Sequence, residues 1–147
     1  PTSGIHVTVA TSSEILDAIL VRAADTIGDI TAPVMARFYR DHADARASFE
    51  SLSNDGAAKL EAEMVETILY CVMTWIIRPS EIEIILTNTV PHHDQTLEIR
   101  PGWFDGLFDA VNVVIAGTIP ADAQAEQQLW AKITDDLRAA VADARSQ

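Results

Sequence analysis

Two adjacent histidines, His92 and His93, are the residues of this chain best suited to chemistry. They stand in Thr89-Val90-Pro91-His92-His93-Asp94-Gln95-Thr96-Leu97-Glu98-Ile99-Arg100-Pro101-Gly102-Trp103-Phe104, a connector that a proline opens and a Pro-Gly closes. A neutral imidazole ligates transition metals, and it exchanges its proton near neutral pH. The plain alternative is a solvated pair titrating at its ordinary value. Cys71 is the one cysteine, which excludes an intramolecular disulfide and a thiolate metal cluster. On an apolar-periodic segment it reads as buried and inert. The chain has no Ser-His-Asp order, glycine-rich phosphate loop or metal-spaced His/Glu pair.

The elements that must position the histidine pair read as helices. Residues 1–12 form an extended N-terminal arm, and one domain follows over 13–147. Thr11-Ser12-Ser13-Glu14 is a capping box, and Ile15, Ile19, Leu20, Ala23 and Ile27 recur at helical spacing over 13–26. Gly28 breaks this helix, and Asp29 or Thr31 caps a second that runs to about His42 with Pro33 in its first turn. Its apolar face is Val34, Met35, Phe38 and Tyr39. A short irregular piece leads to Phe49. A long amphipathic helix spans 57–77, ended by Pro79, and Ser80-Glu81-Ile82-Glu83 opens a shorter one through about Thr89. Pro91 lacks the donor a helix needs, so His92 and His93 fall at a frayed helix end or just beyond it. Trp103, Phe104, Leu107, Phe108, Val111, Val114 and Ile115 mark the next helix, which Gly117 and Pro120 close. The last spans about 121–145.

Composition agrees with an all-α domain. Of 147 residues 48% are hydrophobic, and the six prolines fall between periodic segments. Acids outnumber bases 22 to 10, giving a formal charge of -12. A surface that acidic repels phosphate backbones and anionic lipid, which argues against nucleic-acid and membrane partners. No apolar run approaches the ~20 residues a bilayer span needs, and the start lacks a signal-peptide pattern, so the expectation is a cytoplasmic protein.

Four marks in this order resemble the globin family, most closely bacterial single-domain haemoglobins and the globin parts of flavohaemoglobins and globin-coupled sensors. The first is Phe38-Tyr39-Arg40-Asp41-His42-Ala43-Asp44-Ala45-Arg46-Ala47-Ser48-Phe49, similar to the segment that ends on the haem-stacking phenylalanine. The second is the helix over 57–77, where the distal positions fall on Leu60 and Met64. The third is His93, ten residues before the aromatic Trp103, as a globin's proximal histidine stands. The fourth is Leu129-Trp130-Ala131-Lys132-Ile133, similar to a pattern of bacterial globin terminal helices.

The resemblance implies a globin-like fold with helices packed around a haem-sized pocket. It implies haem b as cofactor, iron held by His93 (or by His92, should the register slip by one at Pro91), and Phe49, Ile99, Trp103 and Leu107 against the ring. Arg100 falls where it can pair with a propionate, or is an ordinary surface arginine. The position commonly tyrosine in flavohaemoglobins falls on Met35, so Met35, Leu60 and Met64 offer no donor to bound dioxygen. Met35 or Met64 can ligate iron through sulfur, though flexible core filling is the commoner use of methionine. Tyr39 and Tyr70 are the nearest donors in sequence. Trp103 replaces a proximal tyrosine, and 147 residues are too few for a reductase domain as well, which argues against nitric oxide dioxygenase activity.

The expected function is binding or sensing of a diatomic gas (O2, CO or NO), not catalysis. The alternative is a globin-fold module without haem that signals or interacts as a homodimer. Exposed apolar residues on 103–115 or 129–141 would favour dimerisation. A peroxidase-like or nitric oxide-consuming enzyme would need a polar distal group that the chain does not supply.

Overall fold

Seven helices and no strand make up the described part of the computed structural model, which covers residues 8–51, 57–95 and 102–146, with side chains described over 12–51, 57–90 and 102–146. The expectation of an all-α domain therefore holds for these residues. In chain order the helices are α1 (Thr8–Ile27), α2 (Thr31–Asp41), α3 (Ala43–Ser51), α4 (Ala58–Trp75), α5 (Pro79–Gln95), α6 (Trp103–Ala116) and α7 (Gln124–Arg145).

Local chemistry sets most of the breaks. Gly28 ends α1 in the left-handed region (φ 81°), which an L side chain adopts only with strain. Asp29 then accepts the Thr31 backbone N–H at 2.9 Å beside the start of α2, whose N-cap position is Ile30. His42 separates α2 from α3 with a non-helical backbone (φ -136°, ψ 66°). Gly102, at φ 97°, turns the chain into α6.

Three boundaries differ from the sequence expectation. Helix α1 begins at Thr8, so residues 8–12 are helical and the expected capping box lies inside the helix. The piece expected to be irregular before Phe49 is α3, a nine-residue helix that buries Ala45 and Phe49. Helix α5 does not stop near Thr89 but runs to Gln95 through Pro91. Pro91 removes one backbone hydrogen bond, but Ile82, Leu86 and Val90, all 3% exposed or less, form a stripe that packs α5 on its neighbours. Burial of that stripe outweighs the local preference.

The core is one cluster to which all seven helices contribute. Helix α5 packs mainly on α7, α2 on α6, and α1 on α7. Polar ties join the last two helices, Arg138 to Asp109 at 3.1 Å among them. The Trp130 indole N–H donates to Asn112 Oδ1 at 2.6 Å, and Arg145 pairs with Asp105 at 3.0 Å. Arg22 of α1 forms a two-point ion pair with Glu126 of α7.

Candidate functional site

Helices α4, α5 and α6 converge on a cleft of about 160 Å³ lined by Met64, Thr67, Ile68, Thr89, Phe104 and Leu107. The helical repeat accounts for the set. Met64, Thr67 and Ile68 are spaced i, i+3, i+4 on α4, and Phe104 and Leu107 are three apart on α6. The cleft is apolar apart from two threonines. The Thr67 hydroxyl donates back to the Glu63 carbonyl at 2.9 Å, so it is already used within its own helix.

A deeper apolar void of about 10 Å³ is lined by Ile68, Cys71, Leu86, Phe104, Phe108, Leu137 and Val141. It shares Ile68 and Phe104 with the cleft. Burial pushes the Cys71 thiol up to about 11, which keeps it protonated and unreactive near neutral pH, as its helix position implied.

An aromatic cluster joins α2, α3 and α6. Phe49 is fully buried, its ring stacked on Phe38 at 5.8 Å and met edge-on by Trp103 at 6.1 Å. Phe38 also stacks on His42 at 4.9 Å. The His42 ring lies against Gly106: a Cβ on that glycine would fall on His42 Nε2 and stand 3.0 Å from Cδ2. Gly106 therefore lets α6 approach α2 closely.

The two tyrosines hold their hydroxyls elsewhere. Tyr39 is 6% exposed and donates to Glu61 Oε2 at 2.6 Å, with the Arg46 guanidinium 4.4 Å over its ring. Burial, then the Glu61 hydrogen bond, raise its pKa far above the ordinary phenol value, so it stays a donor. Tyr70 donates to Glu81 at the surface.

Of the expected pocket residues, the structure brings Met64 and Leu107 into the cleft. Phe49 and Trp103 are joined to each other. Met35 is buried in the core at 3% exposure, and Leu60 is half-buried against that core; neither lines the cleft. Ile99 and Arg100 lie outside the described residues, as do the side chains of His92 and His93. The backbone of both histidines is helical. Position 93 follows Leu86, Thr89 and Val90 at i+7, i+4 and i+3, the face that carries two buried residues and one cleft residue. Position 92 follows Ile85, Asn88 and Thr89 at i+7, i+4 and i+3; Ile85 packs against the core, Asn88 is exposed and Thr89 lines the cleft.

Sequence reasoning passed over Thr67, Ile68, Thr89 and Phe104. Thr89 carried a signal, since it stands one helical turn before His93, but only a helix continuing through Pro91 puts the two on one face. Among the described residues no group of three or more His, Cys, Asp or Glu side chains is placed to hold a metal ion, and no helix is long and apolar enough to cross a membrane. Of the large apolar residues on 103–115 and 129–141, Val113 alone is strongly exposed, at 41%. No protein-family model, curated protein or solved structure matches the chain.

Proposed function

We propose that this chain is a globin-like haem protein that binds a diatomic gas, with the α4–α5–α6 cleft as its pocket and His93 as the iron ligand. The observation that carries the reading is helical register. Position 93 stands seven, four and three residues after Leu86, Thr89 and Val90 on α5, one turn beyond a residue that lines the cleft. The ten-residue spacing from His93 to Trp103 and the order of the helices support it from the sequence side.

The lining fits haem in chemistry, because a largely apolar wall suits the faces of the ring and an imidazole suits iron. The described walls enclose about 160 Å³, below the roughly 300–1,000 Å³ of ligand sites in general, so uptake displaces lining side chains. Haem, if bound, would be held at its iron by His93 and would supply a metal able to take a small diatomic ligand. The residues at the expected distal positions would then offer that ligand no donor, and the Thr67 hydroxyl of the cleft is used within its own helix. Met64 and Leu60 are apolar, Met35 is buried in the core, and the Tyr39 hydroxyl is committed to Glu61. Dioxygen, which needs a hydrogen-bond donor, is held weakly, and CO and NO suffer less. Among the described residues that line the cleft none is a carboxylate, histidine or lysine, which supports binding or sensing over catalysis.

A second reading rests on the Phe49–Trp103 contact. With Phe49 fully buried between Phe38 and Trp103, its ring is covered by protein, as a haem-free interaction module would require. Titration with hemin separates the two. The haem reading expects a saturable Soret band at one equivalent. A folded protein that takes up none leaves the interaction module.

A further inference from the structure

We propose that the groove between α1 and α4 docks a basic amphipathic helix of a partner protein. This surface is separate from the α4–α5–α6 cleft, and the inference does not rest on haem binding. Helix α1 packs chiefly on α7, and its other side borders a groove of about 350 Å³ whose opposite wall is α4. Leu20 and Ala24 line it from α1, and Leu69 and Met73 from α4, over a floor that includes Val65 and Ile115. Met73 is 53% exposed, a large apolar side chain left to solvent. Ile77, one turn further on, is 58% exposed and extends the apolar surface past the end of α4.

Charge selects the occupant. The two ionisable residues lining the groove are Asp29 and Glu66, both carboxylates. Asp17, exposed one turn before Leu20, adds a third on the same face of α1. The cation nearest along the α4 stripe, Lys59, sits at its outer end and pairs with Glu63 at 4.0 Å. A neutral apolar partner would cover Asp29 and Glu66 without pairing them, which is costly. A second copy would set the same acidic rim against itself, with a net charge of -12 on each chain. Lysines or arginines flanking an apolar stripe answer both needs.

The shape selects a helix. The α4 wall presents Ala62, Glu66, Leu69 and Met73 at helical spacing, a ridge over which another helix packs. From Ala62 to Met73 it is about 17 Å long at 1.5 Å per residue, which matches a partner helix of roughly three turns.

The test is fluorescence anisotropy of a labelled Leu/Lys amphipathic peptide of about 14 residues (~21 Å as a helix), titrated with the whole chain. We expect saturable binding that weakens about tenfold or more, roughly 1.4 kcal/mol or above, with Met73→Asp and with Glu66→Lys. Asp135→Lys, on α7 outside the groove, should leave it unchanged, and a Leu/Glu peptide should not bind. Both groove residues are exposed, so the helical circular dichroism signal should persist; if Met73→Asp loses it, Met73→Gln carries the same comparison. Failure of the Leu/Lys peptide to saturate would overturn the proposal. So would equal weakening by Asp135→Lys, which marks general attraction to an acidic surface. Self-association that Met73→Asp abolishes would assign the groove to a second copy instead.

Discussion

Phe49 of α3 and Trp103 of α6 meet edge to face, their ring centroids 6.1 Å apart and their planes at 79°. The contact ties the short helix after His42 to the first turn of α6, and both rings are at most 5% exposed. Removing a buried aromatic costs about 3–5 kcal/mol through lost transfer energy and the cavity left behind. Trp103→Ala should therefore lower the urea midpoint strongly. Phe49→Ala should do the same, and the double variant should lose less than the sum of the two because the rings share a contact.

The close approach of His42 to Gly106 yields a double-mutant cycle. Alanine is favoured over glycine in a helix interior by up to about 1 kcal/mol. In the native background Gly106→Ala must push the His42 ring off Phe38, so it should be neutral or destabilising. With His42→Ala already in place the same substitution should stabilise. Equal effects of Gly106→Ala in both backgrounds, measured by chemical denaturation, would remove the proposed contact.

Tyr39 predicts an alkaline dependence. Its pKa is raised in the folded state, by burial first and by the hydrogen bond to Glu61 second. A raised pKa contributes stability that is fully present below the unfolded value near 10 and is lost as pH rises toward the folded one. Tyr39→Phe should cost about 1 kcal/mol at neutral pH for the lost hydrogen bond. It should also flatten the loss of stability above pH 10. Absorbance titration of the phenolates should show Tyr39 ionising late, and an ordinary titration of Tyr39 would contradict the packing around it.

The Arg22–Glu126 pair predicts an acid dependence of opposite sign. The Glu126 carboxyl is held below its ordinary value of 4.5, first by the hydrogen bond from Arg22. A depressed carboxyl contributes stability that is present above that value and lost as pH falls through the folded pKa. Glu126→Gln should lower the neutral-pH midpoint and reduce the drop seen below about pH 4.5. A variant with an unchanged acid profile would mean the pair does not form in solution. The pair is partly exposed, so salt should weaken its contribution.

Much of the helix order was legible because apolar periodicity and breakers agree along most of the chain. Gly28 acted where its backbone chemistry put it, and Asp29 bonds the first residue of α2. Two of the three misread boundaries share one cause. At Pro91, and in the piece before Phe49, local signals pointed to a break, while burial of Val90 and Phe49 held the chain helical. Two of the six cleft-lining residues, Met64 and Leu107, were legible. Thr67 and Thr89 were not, because a threonine on a helix gives no sign of which side it faces until its neighbours are packed. The bonds of Tyr39 to Glu61 and Tyr70 to Glu81 join different helices and likewise had no local mark.

The most direct test of the account is the absorption spectrum of hemin-reconstituted protein compared with its His93→Ala and His92→Ala variants, each checked for helical content. The account predicts a Soret band in the parent and in His92→Ala. It predicts loss or marked change of the band in His93→Ala, with recovery on adding free imidazole. A folded parent that stays colourless, or a band indifferent to His93→Ala, would contradict it.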